Sequence, residues 1–199
     1  EVNVKLAFNG SYVEAENIGN SKIMAFKIPD IIPFILPINT YYPNINIVIV
    51  KRNAVDTINS ILNKRWFSFE NMKKNLNWPF KIVNGYNVPF WVKDKDCILW
   101  TTMSEVDRCA YYYVRMNEDL HLIKNKIVII YEDLINNPTS TATYIKSRLK
   151  LQDGEKTSSI INSVKKTLRH RNENILSNIS HELLESVLYY DKYKVYDAE

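Results

Sequence analysis

Apolar residues recur along this chain in three patterns, and each predicts a different element. Residues 45–51 (Ile-Asn-Ile-Val-Ile-Val-Lys) and 126–131 (Lys-Ile-Val-Ile-Ile-Tyr) are short, β-branched and apolar at both odd and even positions. That pattern suits strands buried on both faces, as in a parallel sheet. Residues 22–28 read as a further strand. The second pattern repeats at three- and four-residue spacing. It predicts amphipathic helices over 54–65, 104–118, 139–149, 157–168 and 180–191. The helix from 54 should bury Val55, Ile58, Leu62 and, at its end, Trp66, with Asn53, Asp56 and Ser60 on the polar side. Asn53 opens it as an N-cap with Asp56 three residues later, and Ser104 with Asp107 repeats the arrangement. The third pattern lacks periodicity. Residues 29–43 are punctuated by proline, and residues 67–95 read as irregular and aromatic. Strands alternating with helices predict an α/β domain whose sheet is parallel and covered on both faces.

The polar positions at the end of the first strand carry candidate chemistry. Arg52 follows the apolar run directly, and Ser60 lies two helical turns further on. An Arg at a strand's end and a hydroxyl at that distance can converge on one phosphate. Free backbone N–H groups and the helix dipole would favour an anion there, and a guanidinium adds charge-assisted contacts. The same residues also suit an ordinary strand–loop–helix unit with a solvated Arg and Ser.

A second segment favours the phosphate. After the strand at 126–131 come Glu132, Asp133 and Leu134, then Asn137-Pro138 and the helix to Leu149. This resembles the YEDL…NP segment of sulfotransferases that use 3′-phosphoadenosine-5′-phosphosulfate (PAPS). In that family the helix ends in an FLGL-like run, and the counterpart here is Arg148-Leu149-Lys150-Leu151. Arg52 and Ser60 are similar in spacing to the family's 3′-phosphate motif, an Arg followed eight residues later by a Ser. Lys27-Ile28-Pro29-Asp30 looks like the family's strand before the substrate pocket. The likeness runs in order from about residue 22 to 150.

The resemblance implies a three-layer α/β/α sandwich with a central parallel sheet, related to P-loop kinases, in one domain spanning 1–199. It implies transfer of a sulfuryl group from PAPS to a hydroxyl or amine acceptor, a glycan or small alcohol, leaving adenosine 3′,5′-bisphosphate (PAP). Arg52 and Ser60 would bind the 3′-phosphate, and Tyr131 would stack near the adenine or pack beneath it. The cytosolic members carry a His where this chain has Pro29, which leaves Asp30 as the nearest base, or as no more than a turn acid. Lys27 would orient oxygens of acceptor or cofactor. Those members also wrap the cofactor with a Gly-rich, Lys-containing loop that is missing here. By the resemblance, Arg169 or Arg171 in the basic run 165–172 would serve instead, or that run simply ends a helix with favourable positive charge. The family's N-terminal Gly/Ser/Thr-rich loop, which holds the 5′-phosphosulfate, has no counterpart. The four glycines are Gly10, Gly19, Gly85 and Gly154, and none lies between a strand and a helix in a Gly-rich run. A segment bearing that loop is therefore expected upstream of Glu1. A P-loop nucleotide kinase or other phosphotransferase, and a degenerate domain that binds without catalysis, are the alternatives.

Composition narrows this only slightly. A chain of 199 residues, 46% hydrophobic and 24% charged, can bury a core and is not of disordered type. The net charge of +4 suits an anionic cofactor without requiring one. No run of like charges suggests nucleic acid. Cys97 and Cys109 lack metal-ligand spacing and read as buried thiols, and no metal is needed for sulfuryl transfer. Pro33 and Pro37 interrupt the apolar stretch 31–38, so it predicts no membrane span. A cytoplasmic location is favoured, with an upstream anchor left open.

Overall fold

The structure is a computed structural model that describes residues 6–8, 11–13, 29–74, 80–151 and 173–192. The two β-branched runs do pair. Of the strands, β1 (Leu6–Phe8) and β2 (Ser11–Val13) form a small antiparallel pair. Next, β3 (Ile47–Lys51) lies parallel to a later strand over Lys126–Ile130, in register from Ile47 beside Lys126 to Lys51 beside Ile130. A parallel pair needs a crossover connection, and the chain between the two strands supplies it. The molecule is an α/β protein, predominantly helical, with a small parallel sheet.

The proline-punctuated segment before β3 is helical. A 3₁₀ turn over Pro29–Phe34 leads into α1 (Ile35–Tyr41). Pro37 falls in the first turn of α1, where no N–H is required, so it is tolerated. Ile35 and Ile49 pack with Leu120 and Ile123 in a small apolar cluster beneath one face of β3. The opposite face is less covered than predicted: Val48 and Val50 are 40% and 52% exposed.

After β3 comes α2 (Ala54–Asn63). Its N-cap is Asn53, whose side chain accepts from the Asp56 amide at 2.8 Å, as predicted. The buried stripe is Ala54, Ile58 and Ile61, with Val55 and Leu62 half-buried against the same cluster. Trp66 is not part of it. It stands 39% exposed, with Lys64 Nζ 4.5 Å above its ring.

The aromatic connection is more regular than predicted. It holds α3 (Phe69–Met72) and a hairpin of β4 (Phe80–Val83) and β5 (Tyr86–Pro89). Asn84 and Gly85 form its two-residue turn with φ of 52° and 77°. Those are the positive angles that Asn-Gly supplies at low cost in a twisted hairpin. Next come α4 (Cys97–Thr102) and α5 (Glu105–Asn117), the latter capped by Ser104, whose Oγ accepts from the Asp107 amide at 3.1 Å. Phe67, Trp91 and Trp100 are each at most 1% exposed and meet edge to face, Trp91 and Trp100 with centroids 5.2 Å apart. These aromatics fill the core. Cys97 and Cys109 are free and buried, as predicted.

The last strand among the described residues, β6 (Lys126–Ile130), runs directly into α6 (Tyr131–Asn136), and Pro138 begins α7 (Pro138–Leu149) at N1. Lys150 closes α7 in the left-handed region at φ 53°. A 3₁₀ turn over Glu173–Asn178 precedes α8 (His181–Lys192), which packs on α5 and α2. Asp107 ties the start of α8 to α5 by accepting the Ser180 amide at 2.8 Å. The strand predicted at 22–28 and the helix predicted at 157–168 lie outside the described residues.

Candidate functional site

Parallel pairing carries β3 and β6 to the same edge, so Arg52 and Tyr131 emerge side by side. The Arg52 guanidinium carbon lies 4.9 Å from the centre of the Tyr131 ring. Its Nη2 is 3.6 Å from Asp56 Oδ2, one turn into α2, and its Nε is buried without a hydrogen-bond partner. Ser60 sits four residues beyond Asp56. On a helix that spacing stacks the two on one face, and Ser60 is half-buried there. Arg52 and Ser60 thus flank Asp56 along one side of α2.

The start of α2 differs from the open anion site predicted from the sequence. Its backbone donors are already engaged. Glu132 Oε1 accepts from the Asn53 amide at 3.3 Å and from Asn53 Nδ2 at 2.6 Å. Asp191 Oδ1 accepts from the Ala54 amide at 2.7 Å and from the Tyr113 hydroxyl at 3.0 Å. With Asn53 on the Asp56 amide, three of the four amides from 53 to 56 are satisfied by side-chain oxygens. Carboxylates suit this place for the reason phosphate would: the helix dipole and free N–H groups favour negative charge.

Two further groups complete the cluster. Lys51, last residue of β3, is 8% exposed, and its Nζ donates to the Tyr190 carbonyl at 2.6 Å. Burial pulls its pKa below the ordinary lysine range, and the charge of Asp191 opposes that pull. Tyr113 is 2% exposed, and burial together with Asp191 pushes its hydroxyl well above the ordinary tyrosine range, so it stays a donor. Sequence reasoning found Arg52 and Tyr131 but missed Lys51, Tyr113, Glu132 and Asp191 as partners. Glu132 had a signal, its place beside Tyr131. Asp191 had none, because 137 residues separate it from Ala54.

The other predicted residues are placed less fully. Asp30 lies in the 3₁₀ turn before α1, where only the backbone is described. Lys27, Arg169 and Arg171 lie outside the described residues. Among the described residues, a cleft of about 360 Å³ opens along β6, between Val128–Ile130 and the side chains of Asp133 on α6, Asn137 between the helices and Tyr144 on α7. Among the described residues no group of three His, Cys, Asp or Glu side chains could hold a metal, and no helix is long and apolar enough to cross a membrane.

Comparison with protein-family models, with curated proteins and with solved structures gave no match.

Proposed function

We infer that the chain is a sulfotransferase-type domain that binds PAPS, with the 3′-phosphate of the cofactor at the end of β3, and transfers its sulfuryl group to a hydroxyl or amine acceptor such as a carbohydrate. The observation that carries this reading is the parallel β3–β6 pair, which delivers Arg52 onto the ring of Tyr131 at one sheet edge. Ligands of open α/β sheets bind at the carboxyl ends of the strands. The wider architecture that goes with the reading is a three-layer α/β/α sandwich of P-loop kinase type.

The energetics favour exchange of Asp56 for a phosphate. The Arg52–Asp56 contact is long at 3.6 Å, and its side chains are 26% and 14% exposed. Such partly exposed pairs contribute about 0–1 kcal/mol. A phosphate offers several acceptor oxygens and stronger charge-assisted bonds to a guanidinium. The Nε–H of Arg52 gives it an unused donor. Tyr131 holds the guanidinium plane, and Ser60 adds a hydroxyl on the same side of α2. Arg169 or Arg171 supplies a further cation to the bisphosphate.

Sulfuryl transfer relies on positioning and charge stabilisation. The acceptor oxygen attacks sulfur in line, and the bond from sulfur to the 5′-phosphate oxygen breaks. The electron pair leaves on that phosphate, and the acceptor proton goes to the Asp30 carboxylate. Lys27 orients the oxygens around sulfur. Asp30→Asn should therefore lower turnover by roughly 10²–10⁴-fold, the usual contribution of a general base, with cofactor affinity little changed.

Calorimetry tests the cofactor assignment. Adenosine 3′,5′-bisphosphate should bind the protein at least about tenfold more tightly than AMP, a difference of about 1.4 kcal/mol for the extra phosphate. Equal affinities would overturn the assignment.

A further inference from the structure

We propose that Asp191, on α8, is a positioning residue for the phosphate loop, so that the bisphosphate is read by side chains of that loop and not by the backbone donors of α2. The inference rests on the cofactor reading above. It starts from the amides. Ala54 is 1% exposed, so its N–H has no ready access to water. Asp191 Oδ1 satisfies it at 2.7 Å and takes the Tyr113 hydroxyl on the same oxygen. A buried donor left without a partner is costly, so the carboxylate fixes where the Ala54 amide lies. Arg52 and Asn53 directly precede it. Glu132 holds the Asn53 amide from the β6 side. The backbone that presents Arg52 is thus gripped from two directions, by a carboxylate after β6 and by another from α8.

The grip from α8 has its own support. Tyr113 rises from α5, against which α8 packs, and the Tyr190 carbonyl of α8 receives the Lys51 ammonium at 2.6 Å. Lys51 immediately precedes Arg52. The two residues that bracket Arg52 and Asn53, Lys51 by its side chain and Ala54 by its amide, are therefore tied to consecutive residues of α8, Tyr190 and Asp191. With two amides committed to carboxylates, selectivity for a 3′-phosphate falls to the Arg52 guanidinium, whose direction the same carboxylates set. Selectivity should then depend on α8, although no side chain of α8 need touch the nucleotide.

Nucleotide titrations separate positioning from mere stability. Wild type, Asp191→Ala, Asp191→Asn and Tyr113→Phe would each be titrated calorimetrically with adenosine 3′,5′-bisphosphate and with AMP, after a thermal melt confirms folding. Asp191→Ala should weaken the bisphosphate roughly five- to tenfold, the scale of a lost helix cap, and change AMP by less than about twofold. Asp191→Asn, which keeps a carbonyl acceptor, should recover most of the loss. Tyr113→Phe should give about a two- to threefold loss in the same direction. Loosening of the whole fold would move both nucleotides together, and that result would overturn the proposal. So would unchanged bisphosphate selectivity in Asp191→Ala and Tyr113→Phe beside a selective wild type, and in that case the cofactor reading would stand. A wild type that does not distinguish the nucleotides would overturn the cofactor reading and this inference with it. If Asp191→Ala does not fold, Asp191→Asn and Tyr113→Phe give the answer: full selectivity in Tyr113→Phe overturns the proposal.

Discussion

The helical layer around Trp100 and the sheet around Val50 are both apolar, yet they differ in how completely they are enclosed. Trp100 is 0% exposed and touches Phe67, Trp91 and Tyr111 through their rings, while Val50 is 52% exposed on its strand. Polar groups show the reverse distribution. The carboxyl end of the sheet gathers Lys51, Arg52, Asp56, Glu132 and Asp191 within a few bonds of one another. The helical layer buries the cation of Arg108, which donates to the Phe67 and Met103 carbonyls at 2.7 and 2.5 Å. Its guanidinium also lies 4.2 Å from the Phe69 ring. The difference teaches that stability and candidate chemistry occupy separate regions here, joined where α8 meets β3.

The sharpest way to break this comparison is to remove a ring from the closed region. Trp100→Ala should cost about 3–5 kcal/mol of unfolding free energy, the range for emptying an aromatic core site. Denaturant unfolding measures it, and a cost below about 1 kcal/mol would mean the layer is not tightly packed.

Alkaline titration comes next. Burial pushes the Cys109 thiol up to about 12 from an ordinary value of 9.0, and raises the Tyr111 and Tyr113 hydroxyls as well. These groups ionise more readily in the unfolded chain. The stability they contribute is complete below their unfolded values and is lost as pH rises through 9 toward 12. Lys51 acts in the opposite sense: its lowered pKa favours the folded state once the ammonium deprotonates. One lysine against three acids leaves a net loss. The melting temperature should therefore fall steadily above about pH 9, and a flat profile to pH 11 would contradict the enclosure of these side chains.

In the polar region the effect should fall on binding. Arg52→Ala should weaken adenosine 3′,5′-bisphosphate by about 1.5–3 kcal/mol, the scale of a charged hydrogen bond, with AMP nearly unaffected. An equal loss for both nucleotides would mean Arg52 supports the fold and not the 3′-phosphate. The smallest change expected is from Val50→Ala, within about 0.5 kcal/mol of wild type, as for most surface substitutions. A loss of several kcal/mol there would show that the exposed sheet face is as essential to folding as the aromatic core.

What was legible in the sequence was local. The strand pair, the caps at Asn53 and Ser104, and helices α2, α5, α7 and α8 follow from patterns spanning a few residues. Two local signals were outweighed by stronger-looking ones. Asn84-Gly85 marks a hairpin, but the density of aromatics around it suggested an irregular segment. Pro33 and Pro37 look like breakers, but they fall in a 3₁₀ turn and a first helical turn. The rest depends on distant contacts. Nothing near Ala54 announces Asp191, and nothing near Arg108 announces that its partners are carbonyls rather than carboxylates. The filled start of α2 was illegible for that reason: periodicity locates a helix end but not the side chain that arrives there from another element.

The Ala54–Asp191 hydrogen bond also sets an order of assembly. Chains emerge from the ribosome at about 5–20 residues per second, so Asp191, 137 positions after Ala54, follows it by roughly 7–27 s. Helix–coil relaxation needs only about a microsecond. During that interval α2 can form and melt many times with its first amide unclaimed. The loop at Arg52 therefore gains its final shape late, when α8 docks, and a translation product that stops before Asp191 carries the arginine without the carboxylate that aims it.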